Sequence, residues 1–173
     1  MDVGKGMVYG VQCVDGVVGI EGGEKLKEEI GRLKRPSVLR RFLAPLERLI
    51  GRESTDPVVL STGNAIATGS HGLSDKFSRL IHVAPPFYSD IDSDISLLRC
   101  YSSAFEEAKR GGKEGGILTP LVGAGVRGFP VEEAVSIFLR AVVKAEIDVA
   151  VCVVDEEVAN EMVDQMEEMI KVE

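Results

Sequence analysis

The sequence predicts an α/β fold built on a sheet that is mixed rather than purely parallel. Strand and helix patterns alternate through the second half, and the strands there are nearly continuous apolar runs, as in sheets covered on both faces. The middle is strand-rich, which argues for mixed pairing. A length of 173 residues suits one domain, read as residues 1–173 with a basic helical insertion at about 24–51.

Residues 7–12 and 14–20 are short, rich in Val and interrupted by glycine, so they read as one or two strands with a turn or bulge near Asp15-Gly16. Residues 24–34 set Leu26, Ile30 and Leu33 at helical spacing among alternating charges, entered from Gly22 and Gly23. Pro36 opens a second helix with Val38, Leu39, Phe42, Leu43, Leu46, Leu49 and Ile50 on its apolar face, and Pro45 kinks or divides it. Residues 51–57 form a surface loop. Residues 58–60 and 65–68 are strand pieces around Thr62-Gly63-Asn64, Ser70-His71-Gly72 is a further turn, and residues 79–84 are a strand stopped by Pro85-Pro86.

The aspartates of residues 90–94 offer N-caps for a helix in which Leu97, Leu98, Tyr101, Ala104, Phe105 and Ala108 face the core, ended by Gly111-Gly112. Residues 117–122 are a strand whose Pro120 belongs near an edge or an end. Pro130 pre-sets the first helical φ of the next helix. Glu132 and Glu133 suit its positive end, and Ala134, Ile137, Phe138, Ala141 and Val142 form its buried stripe. Residues 148–154 are an apolar strand. Asp155 caps a last helix with Val158, Met162, Met166 and Met169 or Ile170 inward, the methionines as core.

Composition excludes several classes. No stretch approaches the ~20 apolar residues of a membrane span, and the first residues carry no basic-then-apolar leader, so cytoplasm or nucleus is the expected compartment. A net charge of -8 argues against duplex nucleic acid as a partner. The charge is uneven: residues 25–48 hold eight Lys or Arg against three Glu. Such a run is usually a solvated helix surface; a protein partner on these basic helices is the sharper alternative. Cys13, Cys100 and Cys152 are odd in number and scattered, which fits buried free thiols rather than a disulfide framework or a metal pair.

The stretch Gly123-Ala-Gly-Val-Arg-Gly-Phe-Pro130 is the strongest candidate for a site. Its glycines permit positive φ and expose successive N–H groups with no Cβ in the way. The helix beginning at Pro130 adds partial positive charge that favours an anion. Arg127 projects from this loop and can cover a phosphate or stack on a ribose or base. From local pattern alone a plain turn is at least as common a reading.

The order of segments supplies the support. Gly63-Asn-Ala-Ile-Ala-Thr-Gly-Ser-His-Gly-Leu73, Leu80-Ile-His-Val-Ala-Pro85, Leu97-Leu-Arg-Cys-Tyr101 and the stretch from Gly123 to Pro130 follow one another ahead of an apolar strand and a final helix. In this order and spacing the chain resembles the macro domain family of ADP-ribose-binding modules, over roughly residues 14–170. The resemblance implies a three-layer α/β/α sandwich with a mixed central sheet and a cleft at the strand ends. Gly123, Ala124, Gly125, Val126, Arg127 and Gly128 would cradle the diphosphate and distal ribose of ADP-ribose, free or on protein, between Val122 and Phe129. Gly22 and Gly23 would lie opposite. No cofactor or metal is implied.

The chain also departs from the family. Residues 14–20 stand where members that hydrolyse ADP-ribosyl bonds carry an "N-A-A-N" strand end, and they hold no Asn. The family's Gly-Asp-Ile/Val element, which reads adenine, has no match, and Asp15 aligns with an acid on the strand behind it. Gly22-Gly23 is followed by Glu24, whose carboxylate would repel a phosphate if it turned inward. Gly123 and Ala124 replace a serine and a threonine, and Arg127 replaces an aromatic residue. His71 and His82 are far apart with no linked nucleophile, so each reads as structural, and the carboxylates of residues 90–94 read as caps rather than a metal cluster. Catalytic residues are left unassigned. The expected functions, in order, are a module binding ADP-ribose or a related nucleotide diphosphate, a vestigial fold serving protein interaction, and a weak ADP-ribosyl hydrolase.

Overall fold

The computed structural model describes residues 14–33, 60–111 and 115–171. The strand expected at 7–12, the helix from Pro36 to Ile50, the loop at 51–57 and Cys13 lie outside the described residues.

The first described element corrects the sequence reading. Val14–Glu21 is a helix, α1, and not a strand. Val14, Val17 and Ile20 recur along its exposed side, while Gly16 on the other side is buried. Helix α2, Gly23–Leu33, follows at once and buries Leu26 and Ile30. A Cβ on Gly22 would stand 2.3 Å from Leu26 Cδ2 and 2.9 Å from the Val18 carbonyl oxygen, so the corner between α1 and α2 closes only around glycine. Close helix approach, made possible by missing side chains, overrides the strand preference of Val and Ile.

Strand β1, Ala65–Gly69, pairs antiparallel with β2, Arg79–Val83, in the register Ala65↔Val83 to Gly69↔Arg79. Between them a 3-10 turn, His71–Leu73, meets the α1–α2 corner, where the Gly72 N–H donates to the Gly22 carbonyl at 3.3 Å. The Glu29 carboxylate on α2 accepts the Gly69 N–H at 3.2 Å and sits 2.5 Å from His71 Nε2. His71 therefore ties α2 to the end of β1, in keeping with a structural role.

Helix α3, Ser93–Arg110, turns Leu97, Cys100, Tyr101, Ala104 and Phe105 into the core. Leu98 packs at the edge of that core and Ala108 is only partly buried. Asp92 holds the N-cap position in the left-handed region at φ 55 with no side-chain cap bond, so Asp90, whose Oδ2 accepts the Phe87 N–H at 2.9 Å, orders this turn instead. Strand β3, Ile117–Pro120, ends on its proline and pairs parallel with β4, Val149–Cys152. Between them runs α4, Val131–Val142, and α5, Glu156–Lys171, closes the chain. Asp155 caps α5 as expected, its Oδ1 accepting the Glu157 N–H at 2.9 Å.

Among the described residues the strands form two two-stranded sheets, β1 with β2 antiparallel and β3 with β4 parallel, and the fold is an α/β/α sandwich. Its core joins Leu97, Tyr101 and Phe105 of α3 to Phe129 and to Ala134, Val135, Ile137 and Phe138 of α4. Two expectations fail here. Met162 is buried against α4, but Met166, Met169 and Ile170 are exposed. Helices α4 and α5 meet through Met162 and through Gln165, whose Nε2 donates to the Glu132 carbonyl at 3.0 Å, and Met169 lines a shallow groove beside that contact with Glu132, Arg140, Asp164 and Glu168. Cys100 is buried and Cys152 is exposed, since alternate residues of β4 face outward. Burial lifts the Cys100 thiol to about 11, so it stays protonated and donates to the Ala84 carbonyl at 3.2 Å.

Candidate functional site

Residues 121–130 leave the end of β3 and run into the N-terminus of α4. The loop is fastened at its start by a residue of α3: Tyr101 accepts the Val122 N–H at 2.8 Å and donates to the Val122 carbonyl at 3.2 Å. Burial pushes the Tyr101 phenol above its ordinary range, so both bonds persist at any physiological pH. The far end is closed by the loop's own backbone. Phe129 N–H donates to the Gly123 carbonyl at 3.1 Å, and Gly128 N–H donates to that of Gly125 at 2.9 Å. Pro130 is the N-cap residue rather than the first helical one, and its carbonyl accepts the Ala134 N–H at 2.9 Å.

Two glycines here are required by backbone conformation. Gly123 has φ +104, and a Cβ on it would lie 2.9 Å from Leu97 Cδ2; Gly128 has φ +77. At Gly125, by contrast, nothing stands within 4 Å of a Cβ position. Gly123 and Phe129 are buried, Ala124 is half-buried, and Gly125 and Val126 are exposed. Among the described residues no hydrogen bond engages the N–H groups of Gly123, Ala124, Gly125 or Val126. Successive unengaged N–H groups next to a helix N-terminus make a concavity suited to an anion.

Arg127 departs from its expected position. It does not project over the loop. Its side chain is turned inward and only 6% exposed, with the guanidinium carbon 4.3 Å from the centroid of the Phe87 ring. Burial lowers its pKa. Its carbonyl accepts the Tyr88 N–H at 2.9 Å. Tyr88 in turn sets its ring edge-on to Phe129 at 5.2 Å and donates its hydroxyl to Glu133 Oε1 at 3.0 Å, which raises the pKa of that phenol. Phe87, Tyr88 and the hydroxyl of Tyr101 are the residues that sequence reasoning missed at this site. The signals were an aromatic pair directly after Pro85-Pro86 and a buried tyrosine, whose O–H must find a partner.

Gly22 and Gly23 have a local task. Gly22 closes α1, its N–H on the Val18 carbonyl at 2.9 Å, and Gly23 turns the chain at φ +71. Their described hydrogen bonds reach Val18 and Gly72 and none reaches residues 122–129. Glu24 points to solvent and pairs with Lys27 at 2.7 Å, so its carboxylate is not turned inward. Because residues 14–21 are a helix, they cannot stand for a strand end carrying "N-A-A-N". Asp15 likewise sits on α1 and not on a strand, its carboxyl pKa raised by burial.

His82 on β2 is completely buried and 2.7 Å from Thr68 Oγ1 of β1. Burial depresses its pKa to about 3, so it is a neutral cross-strand partner and no general base. Among the described residues no group of three His, Cys, Asp or Glu could hold a metal ion, and no helix is long and apolar enough to cross a membrane.

Comparison with known proteins agrees with this architecture. A family model described as the macro domain matches residues 6–138. Among solved structures, the chain is similar to the Oceanobacillus iheyensis macrodomain with ADP, at 22% identity and TM-score 0.75 over 99% of this chain and 84% of that one. It is similar to the macro domain of ganglioside induced differentiation associated protein 2, at 21% identity and TM-score 0.63, over 87% of this chain and 67% of that one. The Trypanosoma brucei macrodomain in complex with ADP follows at 22% identity and TM-score 0.53, with coverage of 75% and 56%. No curated protein is similar enough to match.

Proposed function

The chain belongs to the macro domain family, and from that premise we propose that it binds ADP-ribose, free or attached to protein, by holding the diphosphate against residues 123–128. The observation that carries this reading is the row of unengaged N–H groups from Gly123 to Val126 on a loop fastened at both ends. Two further facts support it. Similar structures include macrodomains with ADP, and the space over Gly125 is open. The distal ribose would lie toward Val126 and Gly128, and Gly22-Gly23 would form the opposing wall.

Calorimetry with ADP-ribose tests the proposal. The protein should bind, and Gly125→Glu should lose at least about 100-fold in affinity, because the new carboxylate fills the phosphate space and repels it, a change of about 2.7 kcal/mol. An intact protein that shows no heat of binding at millimolar ADP-ribose would refute the reading. The placement of residues 14–21 on a helix leaves hydrolysis open as a second activity of the same cleft. Release of ADP-ribose from a mono-ADP-ribosylated protein, abolished by Gly125→Glu, would establish it.

A further inference from the structure

We propose that Arg127 acts as a positioning residue, holding the phosphate loop from beneath through Phe87 and not by touching the ligand. The inference rests on the reading that residues 123–128 hold a diphosphate. Four observations support it. The guanidinium is buried and lies over the Phe87 ring at 4.3 Å. The carbonyl of the same residue accepts the N–H of the very next aromatic, Tyr88, at 2.9 Å. Phe87 is itself held, its N–H donating to Asp90 Oδ2 at 2.9 Å. Tyr88 reaches back to the loop's end through Phe129 and Glu133.

One residue is therefore secured by both its side chain and its backbone to two consecutive residues of the β2–α3 connection. The four residues before it, Gly123 to Val126, carry N–H groups that no hydrogen bond among the described residues engages. A loop fixed in advance binds an anion without first losing conformational freedom, and this is how a buried side chain can raise affinity without contact. A planar guanidinium lies flat on a ring face and packs over it, whereas a lysine ammonium meets the ring only as a compact point charge.

The experiment measures ADP-ribose affinity and backbone amide exchange for Arg127→Met, Arg127→Lys, Phe87→Leu and the double variant Arg127→Met/Phe87→Leu, with thermal melts to confirm folding. Each single variant, lysine included, should weaken binding about tenfold and speed exchange at residues 124–126 without ligand. The double variant should lose less than the product of the two single losses, because the two residues share one contact. The inference is overturned if Phe87→Leu leaves affinity and exchange unchanged. It is also overturned if Arg127→Lys keeps full affinity while the loss in Arg127→Met shrinks at high salt, the behaviour of a charge that meets phosphate directly. Should the unaltered protein bind no ADP-ribose, the reading of the cleft fails, while amide exchange still decides whether Arg127 holds the loop.

Discussion

The corner at Gly22-Gly23 and the loop at residues 123–128 look alike in sequence, each a glycine cluster running into a helix, yet they spend the missing side chains differently. At the corner the room left by Gly22 is taken by protein, with Leu26 Cδ2 and the Val18 carbonyl already inside contact distance of a Cβ. At the loop, among the described residues, nothing stands over Gly125 and no hydrogen bond engages the neighbouring N–H groups. Glycine before a helix is therefore no evidence of a ligand by itself. What separates a packing glycine from a binding one is whether the backbone donors beside it are already used.

The largest test of this contrast pairs two substitutions. Gly125→Glu should cost at least about 100-fold in ADP-ribose affinity while leaving the melting temperature nearly unchanged, since no atom lies in the way. Gly22→Ala should do the reverse, destabilising by about 2 kcal/mol through overpacking, read in urea denaturation. If Gly22→Ala were silent in stability and damaging in affinity, Gly22 would serve the opposing wall of the cleft by ligand contact and not by packing.

A smaller effect is expected at the fastening point. Tyr101→Phe removes an acceptor from the Val122 N–H and a donor from its carbonyl, and should cost about 1–2 kcal/mol. Faster amide exchange should be confined to the loop and absent from the corner.

The scaffold beneath both regions can be probed by pH. His82 has a folded pKa of about 3 against an ordinary 6.5, so the unfolded chain binds the extra proton between these values. Its contribution is complete above pH 6.5 and is lost as pH falls toward 3, with a slope of up to about 1.4 kcal/mol per pH unit. Stability measured against pH should be flatter by that contribution in His82→Gln. The smallest change expected is at Gly23, where φ is +71 but the space is open. Gly23→Ala should cost about 1 kcal/mol from backbone strain alone, read in a thermal melt.

Much of the fold was legible because its signals are local. The charge-flanked Leu26 and Ile30 announced α2, the aspartates and Leu97, Tyr101 and Phe105 announced α3, and Asp155 marked the start of α5. Helix α1 was not legible in the same way. Its one buried residue is a glycine, Gly16, so there is no apolar stripe to find, and Val14, Val17 and Ile20 lie outward. The spacing of Gly16, Gly19 and Gly22 by three was the available signal. The last turns of α5 misled for the opposite reason: methionines at helical spacing look like a core stripe whether or not a partner helix closes on them. At the site, the loop's position and its glycines could be read from the chain, because they are matters of local conformation. The inward turn of Arg127 could not, because it depends on Phe87, which lies 40 residues earlier in the sequence.

Tyr101 reaches the loop only through the backbone of Val122, and the residues that follow offer N–H groups rather than side chains. Exchanges at positions 124–126 that respect the backbone and leave the phosphate space over Gly125 open can change what surrounds an anion without disturbing how the loop is hung from α3. A recognition surface written in main-chain atoms is inherited with the fold and can drift in its letters. It also gives an engineer three adjacent positions at which to vary selectivity while the core is left alone.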